Sequence, residues 1–143
     1  MEDFAETYQG YLSGLLRWKD WDRLRHRIAD SGEPWYVYAV GHGIPDQPLS
    51  GEPLAMLLSE LDALLRRDHD EPYFGIAYVD DLTEPTLVKI YDPNNLGSSC
   101  GSSGRTIPPG WILCRMRPEP VASDLPLPNN RKRWWRNLIG RLA

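Results

Sequence analysis

The chain has 143 residues, a formal charge of −4 at neutral pH, 41% hydrophobic residues and two cysteines. Those values describe a chain long enough to bury one core and exclude an intrinsically disordered protein; no apolar run reaches the ~20 residues that span a bilayer, and two cysteines make no disulfide framework. The charge is unevenly placed: the last thirteen residues, RKRWWRNLIGRLA, hold five of the 16 Lys and Arg and no acid, so residues 1–130 carry −9 and residues 131–143 carry +5.

The first residues, MEDFAETYQG, are acidic and lack the basic-then-apolar layout of a secretory signal, so the expected location is cytoplasmic. Residues 3–30 read as helical in two pieces. Phe4, Tyr8, Tyr11, Leu12 and Leu15 follow one apolar face; Trp18, Trp21, Leu24 and Ile28 follow another. A break is expected near Arg17–Asp20, with Asp20 capping the second piece and Ser31-Gly32 stopping it. Trp18, Trp21, Trp35 and Trp111 are read as core or groove-lining residues.

WYVYAV, residues 35–40, is apolar at every position, as in a strand covered on both faces. Ser50 then stands as the N-cap of a helix with the stripe Leu54, Leu57, Leu58, Leu61, Leu64 and Leu65. FGIAYVD, residues 74–80, and LVKIYD, residues 87–92, are predicted to form an antiparallel hairpin, and WILCRMR, residues 111–117, a further strand. The unit from Trp35 through the leucine helix to Phe74 can form a right-handed crossover with parallel strands, the remaining strands being antiparallel. The fold class is α+β: a single mixed or mostly antiparallel sheet of about four strands covered by helices, in the order α(α)-β-α-β-β-β. Residues 1–117 form the compact domain, 118–130 a Pro-rich extended linker, and 131–143 a basic amphipathic helix.

On a helical projection of Arg133–Ala143, Trp134, Trp135, Leu138, Ile139 and Leu142 fall in one arc, with Arg133, Arg136, Asn137 and Arg141 opposite. A helix so short is marginal alone and needs a surface for its apolar side. Three surfaces qualify: the protein's own body, an anionic membrane surface, or a groove on a partner. The binding candidates are therefore Arg131, Lys132, Arg133, Trp134, Trp135, Arg136, Leu138, Arg141 and Leu142. Nucleic acid is disfavoured as a partner, because the acidic body repels phosphate.

The Gly/Ser-rich stretch 94–105 is the second candidate. Ser99, Gly101, Ser102 and Arg105 suit an anion cradle, and Cys100 is a candidate nucleophile with His42 or His69 as base. The stretch lacks the Gly-Lys-Ser/Thr ending of a phosphate-binding loop, and a mobile hairpin loop, rich in Gly and Ser because it must turn and stay soluble, is the plainer reading. The acidic clusters at 68–71 and 80–84 lack calcium-loop spacing, and the His and Cys positions lack zinc spacing, so no metal or cofactor is expected. The leading reading is a small non-enzymatic accessory protein that binds another macromolecule through its basic tail; the alternative is a small enzyme or anion-binding domain using the 94–105 loop. The sequence names no small-molecule ligand.

Overall fold

The computed structural model describes residues 3–100, 107–123 and 125–142, with the side chains of 97–100 outside that description. Helix α1 is Phe4–Gln9, β1 Ser13–Gly14, α2 Trp18–Asp30, β2 Tyr36–Ala39, α3 Gly51–Asp68, β3 Ala77–Val79, β4 Leu87–Ile90, β5 Trp111–Cys114 and α4 Asn129–Leu142; a 3₁₀ helix covers Pro93–Cys100. The sheet has five strands in the order β1-β3-β4-β5-β2, every neighbouring pair antiparallel. The α+β class and the helix-covered, mostly antiparallel sheet are as expected from the sequence; the sheet has one strand more.

The extra strand comes from a segment read as helix. Gly10 ends α1, donating its N–H to the Thr7 carbonyl at 3.2 Å, and a Cβ there would lie 3.0 Å from the Glu6 carbonyl. The freed chain lays Ser13 and Gly14 beside Val79 and Tyr78. Helix α2 starts at Trp18, within the expected break. Asp20, in its first turn, accepts the Arg17 N–H at 3.2 Å and pairs with the Arg17 guanidinium at 2.9 Å.

The expected parallel crossover is not formed. Strands β2 and β3 are separated by β4 and β5, and the alternation of the sheet runs them in opposite directions. The segment after the leucine helix pairs with β1 and β4. Gly75 takes φ +61°, which breaks the extended run and leaves three regular residues in β3. WILC offers a fully buried four-residue partner instead, and β2 pairs along it from Tyr36↔Cys114 to Ala39↔Trp111.

Each face of the sheet has its own apolar layer. Val37, Ala39, Val88, Ile90, Trp111 and Leu113 point toward α2, α3 and α4; Tyr38, Val40, Leu87, Ile112 and Cys114 point the other way, with Phe4 of α1 and Val121. This is why residues 35–40 are apolar without alternation. All six leucines of the α3 stripe are buried, each worth about 1.5–3 kcal/mol of transfer free energy before entropy is counted. Trp21 stacks on Phe74 at 5.3 Å and donates Nε1–H to Asp62 at 2.9 Å, locking α2 to α3. The Pro-rich residues 118–128 form neither helix nor strand where described, and Val121 donates its N–H to the Tyr38 hydroxyl at 3.1 Å.

Leu61 is fully buried in the larger layer. Leu61→Ala should lower unfolding free energy by about 2–5 kcal/mol, measured by urea denaturation, because little around it can close the void.

Candidate interaction surface

Two carboxylates hold the C-terminal helix. Arg131 is 3% exposed and Asp92 5%. Arg131 Nε and Nη2 donate to both oxygens of Asp92 at 2.8 and 2.9 Å, and Nη2 lies 2.7 Å from Asp68 Oδ2 at the end of α3. Burial alone would lower the Arg131 pKa, but the two carboxylates hold it above its ordinary value. Asp92 also accepts the Asn94 N–H at 2.9 Å, so the same side chain opens the 3₁₀ helix and receives α4. Asp68 is depressed to about 2, first by its hydrogen bond from Arg67; burial opposes this, and the hydrogen bond and charge of Arg131 lower it further.

The helix begins four residues before Arg133, and this start places Arg131 in the middle of the apolar arc. Leu138 is fully buried in the main core; Trp134, Trp135 and Leu142 are half-buried against it. Trp134 meets Trp111 edge-on at 5.9 Å. Of the nine tail residues singled out by sequence, the body thus takes up Arg131 and Leu138 entirely and Trp134, Trp135 and Leu142 in part. Lys132, Arg133, Arg136 and Arg141 remain exposed. Arg141 reaches Glu60 at 3.4 Å. Among the described residues, Lys132, Arg133 and Arg136 have no carboxylate within ion-pair distance.

Beside them lies the turn Gly41-His42-Gly43. Gly41 takes φ +99°, and a Cβ there would come 3.4 Å from Leu127, so glycine lets the turn close against the Pro-rich segment. His42 rests near the Trp135 ring at 6.0 Å. Its pKa is lowered, first by burial and then by the nearby charges of Lys132 and Arg136, so it is neutral near pH 7. Two grooves meet here. One, of about 360 Å³, is bounded by His42, Lys132 and Arg136; the other, of about 310 Å³, by Val37, Leu49, Leu57 and Leu142; Trp135 and Ile139 line both. Sequence reading missed the grooves because His42 and the tail are about ninety residues apart and only the folded chain joins them.

The other sequence candidates are elsewhere. Gly101, Ser102 and Arg105 and the side chains of Ser99 and Cys100 lie outside the described residues. His69, considered as a base, has Nε2 2.8 Å from the Phe74 carbonyl oxygen, beside Trp18. Cys114 is buried and its thiol pushed up to about 12 by burial, which suppresses thiolate chemistry. Asp80 accepts the N–H groups of Thr86 and Leu87, and Asp81 those of Thr83 and Glu84, so these acids tie the β3–β4 turn. Among the described residues no cluster of three or more His, Cys, Asp or Glu could hold a metal ion, and no helix is long and apolar enough to cross a membrane. The chain matches no protein-family model, and no curated protein or solved structure is significantly similar to it.

Arg131→Ala leaves Asp92 buried without its cation. It should cost about 3–5 kcal/mol of unfolding free energy, measured by denaturant titration. Asp68 adds a pH dependence. Its folded pKa, about 2, lies below the ordinary 3.8, so the unfolded chain takes up the proton first. Its contribution is complete above the unfolded value and is lost as pH falls through that window. Thermal unfolding followed from pH 5 to pH 2 should show a shallower loss for Asp68→Asn than for the parent chain.

Proposed function

We propose that this is a non-enzymatic binding protein whose outer α4 face docks on an acidic surface of a partner protein. One observation carries the reading: Lys132, Arg133 and Arg136 are exposed, and among the described residues they have no carboxylate partner, on a helix held by the buried Arg131 pair. An otherwise acidic molecule thereby presents a localised cationic face. Such a face accelerates encounter with an oppositely charged partner and selects its orientation. Half-exposed Trp135 and Ile139, at 39% exposure, supply apolar area beside the charges, the mixture that favours anchoring at a protein interface.

A partner protein is favoured over a lipid surface because the helix has turned its insertion face inward. An in-plane membrane anchor needs its large apolar side chains free to enter the acyl boundary, whereas Leu138 is in the core and Trp134 and Leu142 pack against it.

A photo-crosslinking residue at position 133, in the cells that make the protein, should yield discrete protein adducts. The same residue at exposed position 73 should not. The adducts should disappear with Lys132→Glu/Arg136→Glu and weaken as salt rises. Absence of adducts from 133, or identical adducts from 73, would overturn the reading. Charge-dependent sedimentation with phosphatidylserine vesicles in their place would assign the face to a membrane.

A further inference from the structure

We infer that the two joined grooves beside α4 form a binding site for a short extended peptide segment carrying an acidic side chain next to a large apolar one. The inference rests on the α4 reading above and specifies what the partner presents there. Lys132 and Arg136, one helical turn apart, flank the first groove with no carboxylate partner among the described residues, and His42 closes it. That end calls for an anion. Leu49, Leu57 and Leu142 line the second groove, with Asp46 and Gln47 at its rim. That end calls for an aliphatic or aromatic side chain. Trp135 and Ile139 belong to both, so one occupant can reach from the charged end to the apolar end without leaving the surface.

Backbone geometry favours an extended occupant. Trp35 exchanges both its backbone hydrogen bonds with Leu49 at 2.8 Å, while Val40 donates toward Gly110 on the opposite side. Strand alternation therefore turns the N–H and C=O of Val37, two residues after Trp35, toward the Leu49 side, where the second groove lies. An extended peptide meets such an edge with its own main chain and fills pockets with alternate side chains. The third cavity nearby, between Asp92, Arg131 and Trp134, measures about 40 Å³ and has room for little more than water.

Gly43 gives a selective test. It lines the apolar groove, its φ is not positive, and a Cβ there meets nothing within 4 Å. Gly43→Trp should therefore fill the groove while leaving the fold and the cations in place, and unchanged denaturation would verify this. Ile139→Glu is a second variant, on an exposed helix position. The probe is a random-peptide display library panned on the full chain. Selected peptides should carry Asp or Glu within a few residues of a large apolar side chain. Their Kd should rise about tenfold or more with Gly43→Trp, with Ile139→Glu and with Lys132→Ala/Arg136→Ala. Tyr73→Ala should leave it unchanged.

Failure to select peptides, selection without acidic residues, or binding indifferent to Gly43→Trp would each overturn the inference. So would binding of dodecyl phosphate, in place of peptide, with the same dependence on these variants. Crosslinks from position 133 that persist in Gly43→Trp would overturn the groove alone and leave the α4 reading standing. Loss of all crosslinks in the parent chain would remove that reading itself.

Discussion

The buried contact of Arg131 with Asp92 and Asp68 is the constraint on which the surface depends. It joins the C-terminal helix to the end of β4 and to the end of α3. Together with buried Leu138, these contacts turn the Arg131 side of the helix toward the core. Such a pair adds less to stability than its geometry suggests, because stripping water from three charges offsets much of the attraction. Its effect is on arrangement: with Arg131 inward, Lys132 and Arg136 must face the His42 turn.

The carboxylates are themselves held in place. Asp92 is tied into the start of the 3₁₀ helix, directly after a central strand, and Asp68 pairs with Arg67 at the end of a helix with six buried leucines. Gly110 packs against Asp92 so closely that a Cβ would lie 3.0 Å from the Asp92 Cβ. The acceptors therefore stand at the end of a central strand and at the end of the leucine helix, and through them the body helps place α4.

Charge separation between body and tail acquires a different meaning once the helix is docked. Part of the basic charge is paired within the chain, Arg131 with buried Asp92 and with Asp68, and Arg141 with Glu60 at the surface. What remains is concentrated along the side of the helix that borders Trp135 and Ile139. Cations next to an apolar groove are more discriminating than cations on a free tail, since a ligand must satisfy both at fixed separation.

Local pattern was enough for the elements with strong periodicity. The leucine stripe, the two-faced strand at 35–40 and the apolar arc of the tail are all legible in the chain, because each reflects how side chains repeat along a helix or strand. The short edge strand at Ser13–Gly14 was not legible, since two small residues carry no periodic signal and form a strand only because β3 offers them partners. Nor did the order of strands follow from the sequence, since it is set by pairings between distant segments, β2 with β5 and β1 with β3. The sequence by itself determined that an amphipathic cationic helix exists and needs a surface. Only the tertiary structure decided which surface: Asp68 and Asp92 are far apart in sequence from Arg131, and the free energy of pairing a buried cation exists only where folding has brought both acids to one place.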